Sequence, residues 1–242
     1  MNDGKTLLLT GASSDVGMCL MKKIAGRYDT IWAHYWHSVP QWDNIQTKNA
    51  IIPIQADFSD LDSTKNLIHA IVASGKYPDH IVHLPACKME YQRFPKCAWQ
   101  DYQAGMDVSL RSIVLILQSF LPVMAKKKSG KIIFMLSSCV NGIPPKFQSP
   151  YVTTKYALLG LMKSLSAEYA ERGITVNAIS PDMMETKFLA GIPELIIEQN
   201  AKNSPMGRNI KIDEVIPAFV FLLSEEANAV TGQNFSITGG IR

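Results

Sequence analysis

The stretch TGASSDVG, from Thr10 to Gly17, decides how this chain is read. It follows the apolar run KTLLL (residues 5–9) and leads into MCLMKKIAG (residues 18–26), whose apolar positions recur at helical spacing. A glycine-bearing turn between a buried strand and a helix leaves backbone amides free at the helix start, and such amides attract phosphate. Asp15 sits where that anion would dock. Asp tolerates left-handed backbone better than most residues, and beside a helix beginning at residue 16 it can cap free amides. Two unit charges about 4 Å apart cost roughly 4 kcal/mol at an effective dielectric of 20. Either Asp15 turns away and caps the helix, or anion binding is weak.

Outward from this turn, short runs rich in Val, Ile and Leu alternate with longer helical patterns. Strands are expected at 5–10, 30–36, 50–56, 80–84, 131–136, 174–179 and 234–237, and helices at 16–25, 61–74, 99–125, 151–172, 193–203 and 213–223. Near-continuous apolar strands separated by helices imply a parallel sheet covered on both faces. SDLDS before the second helix supplies capping residues, and Gly75 and Gly173 are natural stops. The segment HSVPQWDNIQTKN (residues 37–49) carries a proline, so a helix there is doubtful. The expected architecture is α/β: one doubly wound parallel sheet in three α/β/α layers, a Rossmann fold, over a single domain 1–242. Ligands of such sheets bind at the carboxyl ends of the strands, which places Thr10–Gly17 at the crevice.

The 242 residues suffice for one sizeable domain. With 47% hydrophobic and 19% charged residues and a net charge of +3, nothing pushes toward nucleic acid. The basic run KKKSGK (residues 126–131) falls between a helix and a strand and reads as a solvated connection. IVLILQSFLPVMA (residues 113–125), the longest apolar run, is interrupted by Gln118, Ser119 and Pro122 and is short for a membrane span. No basic-apolar-small signal segment opens the chain, and four cysteines without ligand spacing suit a reducing compartment. A soluble cytoplasmic protein is expected. His34/His37 and His80/His83 repeat at i, i+3, but that spacing in a strand points side chains to opposite faces, so a metal is not expected. Cys139 reads as a small buried filler, with no histidine near it in the chain.

TGASSDVG, ADFSD (residues 56–60), Ser137-Ser138 followed by YVTTK (residues 151–155), RGITVNAISPDMMETKF (residues 172–188) and TGQNFSITGG (residues 231–240) occur in an order and at spacings that resemble the short-chain dehydrogenase/reductase family. The resemblance runs over essentially the whole chain and is strongest to 3-oxoacyl-(acyl-carrier-protein) reductases. It implies hydride transfer between NAD(P)(H) and a carbonyl or secondary alcohol. Tyr151 would be the general acid/base, Ser138 would hold the substrate oxygen, and Lys155 would tune the phenol and bond the nicotinamide ribose. A phenol ordinarily titrates near pH ~10. A cation one helical turn away, with the positive oxidised nicotinamide, would favour phenolate. The cofactor would touch Gly11, Ser13, Ser14, Asp15 and Val16 in the first turn, Asp57 and Phe58 after strand three, Ala86 after strand four, Pro181 and Thr186 after strand six, and Tyr151 and Lys155 themselves.

The chain departs from the family pattern around this site. Asp15 replaces a glycine, HLPA (residues 83–86) replaces Asn-Asn-Ala-Gly, Ser109 stands at the catalytic asparagine, and Asp182 follows Pro181 where a glycine is usual. Pro85 removes a backbone donor, and a serine only partly replaces an amide. These changes leave open a weakly active or non-catalytic dinucleotide-binding relative acting as a sensor or partner subunit. After strand two no acid occurs before Asp43, so His37 and Ser38, with Ser13 and Ser14, favour NADP(H) over NAD(H). Residues 182–210 would form a substrate lid, with Met184, Phe188, Leu189, Ile192, Leu195 and Ile196 as an apolar lining and Tyr91, Phe94 and Phe147 as aromatic walls. The partner would be a small carbonyl or alcohol, with an acyl or apolar substrate favoured, and with no nucleic acid and no membrane. Small residues Ala157, Gly160 and Ser164, together with the resemblance, imply a homodimer or homotetramer on helices 99–125 and 151–172.

Overall fold

The computed structural model describes residues 4–40, 45 and 49–240. Most of 37–49, including Asp43, lies outside the described residues, so the doubtful helix there is not addressed.

Seven strands form one sheet: β1 (Thr6–Thr10), β2 (Thr30–Tyr35), β3 (Ala50–Gln55), β4 (His80–His83), β5 (Gly130–Met135), β6 (Ile174–Pro181) and β7 (Asn234–Ile237). Their spatial order is β3-β2-β1-β4-β5-β6-β7, and every pairing is parallel. β1 pairs with β2 on one side and β4 on the other, so the crossovers reverse direction beside β1. That reversal opens a crevice at the carboxyl ends of β1 and β4.

Helices cover both faces: α1 (Asp15–Ile24), α2 (Leu61–Ser74), α3 (Trp99–Lys127), α4 (Ser149–Tyr169), α5 (Glu194–Asn203) and α6 (Ile212–Leu222). The period of two along β1 sorts the layers. Leu7 and Leu9 join Leu20, Ile24, Val215 and Phe219 under α1 and α6, while Leu8 joins Ile116, Phe120, Leu158 and Met162 under α3 and α4. α2 occupies the expected residues because Asp60 accepts from the Asp62 amide at its start and Gly75, at φ 70°, turns left-handed at its end.

α3 is longer than expected and carries a π-helical stretch at Met106–Arg111. Its 29 residues are long and apolar enough to cross a membrane by length and composition, because the helix also includes residues before and after the interrupted run. In this fold Ile113, Ile116, Leu117, Phe120, Leu121 and Met124 are buried in the core beneath it. It is a core helix of the sheet.

Candidate active site

The crevice is a cavity of about 1180 Å³ at the carboxyl ends of β1, β4, β5 and β6. It brings together Gly11, Ser13, Ser14, Asp15, Val16, His37, Asp57, Phe58, Ala86, Ser138, Tyr151, Lys155, Pro181 and Thr186, which lie far apart in sequence. Two candidates fall outside its lining: Ser38, beyond the end of β2, and Ser109, which is buried behind it. Ser109 instead lines a second space of about 210 Å³ that also reaches Tyr151 and Lys155.

Local chemistry builds the first turn. Gly11 takes φ 73°, a left-handed conformation that glycine adopts without cost. A Cβ on Gly17 would lie 2.5 Å from Gly11 O, so strand and helix approach closely only because residue 17 lacks a side chain. The cap of α1 is Ser14, not Asp15: Ser14 Oγ accepts from the Gly17 amide at 3.0 Å, and the helix begins at Asp15, one residue earlier than expected. Asp15 turns away from the turn, and its Oδ2 accepts from the Lys187 amide at 2.8 Å, across the crevice. The Asp15 and Val16 amides are then left in the first helical turn without an acceptor among the described residues. Two free amides at a helix N-terminus fit a phosphate. The cavity volume, the glycine turn and these amides fit a nicotinamide dinucleotide.

Two histidines absent from the expected site hold the crevice from below. His34 Nδ1 accepts from the Gly11 amide at 3.0 Å, its Nε2 bonds Ala56 O at 3.1 Å, and its ring stacks on Phe58 with centroids 4.1 Å apart. His83 joins Thr10 Oγ1, 2.8 Å from Nδ1, to Ser109 O, 2.8 Å from Nε2. Burial pulls His34 down to about 4 and His83 to about 3, so both rings are neutral linkers. Ser109 Oγ donates to Pro85 O at 3.1 Å, within the π-helical stretch. HLPA and Ser109 are therefore one connected unit.

Tyr151 and Lys155 project from α4 into the same cavity, with Lys155 Nζ 5.5 Å from the centre of the Tyr151 ring. Lys155 is buried and donates to Met135 O at 2.8 Å. Burial lowers it to about 8, with the Cys139 and Cys87 thiols acting in the opposite direction. Burial raises the Tyr151 phenol above its ordinary value; Cys139 adds to the rise and a hydrogen bond with Ser137 opposes it. In the protein alone the phenol is thus raised rather than lowered, because burial disfavours phenolate. Cys139 is buried, as a filler would be. Ser138 Oγ donates to Asp182 Oδ1 at 2.8 Å, a partner the sequence does not signal.

Among the apolar residues expected over the site, Met184, Phe188, Leu189 and Ile196 line the cavity, and Tyr91 joins them. Leu195, Phe94 and Phe147 are exposed instead, Leu195 on α5 and Phe94 in the Phe94–Lys96 turn. Ile192 packs beneath, in a cluster with Met89 and Leu189.

A family model described as Enoyl-(Acyl carrier protein) reductase matches residues 36–242. The 3-oxoacyl-[acyl-carrier-protein] reductase FabG of Staphylococcus aureus (strain Mu50) is 29% identical over 244 residues, covering 98% of both chains. A crystal structure of a 3-oxoacyl-[acyl-carrier protein] reductase with bound NAD from Brucella melitensis superposes with a TM-score of 0.82 at 25% identity, covering 98% of this chain and 90% of that one. A gluconate 5-dehydrogenase from Burkholderia cenocepacia, in complex with NADP and tartrate, shares the fold at a TM-score of 0.84 and 24% identity, covering 98% and 95%. With most of its length matched by the family model and its strand-end crevice built on the expected residues, the chain belongs to the short-chain dehydrogenase/reductase family of NAD(P)-dependent oxidoreductases.

Proposed function

We propose that this enzyme interconverts a ketone and a secondary alcohol, as 3-oxoacyl reductases do, with Tyr151 as the acid and base. The observation that carries this reading is the convergence of Tyr151, Lys155 and Ser138 on one cavity, with the Lys155 ammonium 5.5 Å from the phenol ring. The nicotinamide supplies or accepts the hydride. The chain handles the proton: a phenol raised by burial is protonated at neutral pH and is the donor that a nascent alkoxide needs. Lys155, fixed on Met135 O, places a positive charge beside the phenol when the proton leaves. Ser109 and His83 act at one remove, holding the π-helical stretch and the second space behind Lys155.

Residues 182–210 serve as the lid of one domain spanning 1–242; Met184, Phe188, Leu189 and Ile196 suit an acyl or otherwise apolar tail. His37, Ser13 and Ser14 line the same cavity, with Asp57 bonded to Ser59, and this favours NADP(H). Exposed Trp99 and Tyr156 on α3 and α4, with open space over Gly160, support a homodimer or homotetramer built on these helices. The enzyme works on small molecules in the cytoplasm.

Tyr151→Phe tests the assignment. Turnover of ketones with NADPH is expected to fall at least a thousandfold while NADPH still quenches the protein's four tryptophans. A Phe variant retaining wild-type turnover would remove Tyr151 from the chemistry.

A further inference from the structure

Gln148 immediately precedes α4, and its side chain takes no part in capping the helix. The residue before it, Phe147, has φ 68°, a left-handed conformation rare for a bulky side chain. Phe147 is exposed, whereas Gln148 is only 4% exposed and lines the cavity that holds Ser138 and Tyr151. Backbone held in so sparsely populated a region clusters at ligand sites. The bend is tied to the segment after β4, whose Gln92 amide donates to Phe147 O at 2.8 Å. The same segment supplies Tyr91, bonded to the Gln148 side chain, and Lys88, both on the cavity lining.

A side-chain amide and a hydroxyl carry three polar protons, and the bond between Gln148 and Tyr91 uses one of them. Two remain for an acceptor in the cavity. Lys88 adds a charge, and its ammonium has no acid or other acceptor among the described residues. A Cβ on Gly191 of the lid would lie 2.6 Å from Lys88 Cε and 3.3 Å from Nζ, so the glycine leaves the room that this lysine occupies. The other lysines of the lining are placed elsewhere: Lys155 is on Met135 O, and Lys187 is at the first turn, its amide on Asp15. The acids of the lining are held by neutral donors. Asp15 accepts from the Lys187 amide, Asp57 from Ser59, and Asp182 from the Ser138 and Asn200 side chains.

Gln148 and Tyr151 stand three residues apart at the start of one helix, a spacing that sets Cβ atoms about 5–6 Å apart. An acceptor bound by Gln148 while Tyr151 meets the ketone therefore lies one or two carbons from the reacting carbon. One ammonium and two neutral protons suit a pair of oxygens that share a single negative charge.

Resting on the ketone–alcohol reading above, we propose that Lys88, Gln148 and Tyr91 form a carboxylate subsite, and that the substrate is a free 3-oxo acid or the matching 3-hydroxy acid rather than a thioester. The apolar wall of Met184, Phe188 and Ile196 takes the chain beyond the ketone.

Acetoacetate and its methyl ester, compared with NADPH on the full chain, test this. The acid is expected to exceed the ester at least tenfold in kcat/KM. Lys88→Met keeps the length, removes the charge and should shrink that ratio at least fivefold, through the KM of the acid; Lys88→Arg should keep it. Gln148→Met should raise the KM for acetoacetate at least fivefold, with a smaller change in kcat. An ester reduced as well as the acid, a ratio unchanged in Lys88→Met, or a KM unchanged in Gln148→Met overturns the subsite and leaves the ketone–alcohol reading standing. Binding of 3-hydroxybutyrate against its methyl ester, followed by ligand-observed NMR with NADP+ present, reads the same preference without turnover. Preferential binding of the acid, lost in Lys88→Met, upholds the subsite even if no ketone is reduced, in which case the ketone–alcohol reading alone fails. Equal binding of the two, or binding of neither, overturns the subsite.

Discussion

Acidifying the protein from pH 7 to pH 5 should cost it about 6 kcal/mol of stability, through three buried histidines. Burial lowers His34 to about 4 and His80 and His83 to about 3, with the nearby Lys5 and Lys131 contributing at His80. Each neutral ring is committed to hydrogen bonds: His34 between Gly11 and Ala56, His80 to Tyr28 Oη at 2.7 Å, and His83 between Thr10 and Ser109. In the unfolded chain a histidine titrates near ~6.5. The unfolded state therefore binds more protons throughout the window between that value and the folded ones, and stability falls as pH falls. Going from pH 7 to pH 5 removes roughly 2 kcal/mol per histidine, about 6 kcal/mol for three. That is comparable with the whole stability of a typical domain, about 5–15 kcal/mol. Glu214, held down to about 2 by its bonds to Arg208, titrates below this window and does not contribute to the loss. Urea unfolding at pH 7, 6 and 5 measures the effect directly. His80→Gln should remove about a third of the pH-dependent part, though it also weakens the protein at pH 7 by leaving Tyr28 poorly paired. A stability that changes by less than about 1 kcal/mol over those two pH units would mean that the histidines charge inside the fold, contrary to this reasoning.

Gly17→Ala would drive a Cβ to 2.5 Å from Gly11 O and 2.7 Å from Ala12 O, and backbone cannot yield as a side chain can. A loss of about 2 kcal/mol or more is expected, seen as a melting temperature lower by roughly 5 °C; an unchanged melting curve would show that the turn tolerates a side chain. Asp15→Gly gives up the bond to the Lys187 amide and removes a negative charge beside two free amides. NADPH titrated by tryptophan fluorescence should bind about tenfold tighter, or about 1.4 kcal/mol, whereas an equal Kd would mean that Asp15 stays on Lys187 with cofactor present. Lys155, lowered to about 8 by burial, loses its proton as pH rises past that value. Ketone reduction should therefore decline above pH 8, and a rate level to pH 10 would show that the ammonium is not required.

The layered fold was legible along the chain because its causes are local. Strands buried on both faces must be apolar throughout, and α2 begins at an Asp cap and ends at a left-handed glycine that any reader can find. The glycine turn at Thr10–Gly17, and Tyr151 with Lys155 one helical turn apart, follow from the same short-range rules. Adjacent cap formers, Ser14 and Asp15, marked where α1 starts, but which of them caps it depends on what else Asp15 can reach. That partner is Lys187, 172 positions away. Likewise the Ser138 proton goes to Asp182, 44 positions on, and His34 finds the Gly11 amide from a neighbouring strand. Hydrogen bonds need donor and acceptor within about 3 Å and in line, and no pattern along one strand or helix sets that distance between two of them. Sheet order and the packing of α5 over the crevice do, so which group each acid and imidazole bonds was settled only when the elements came together.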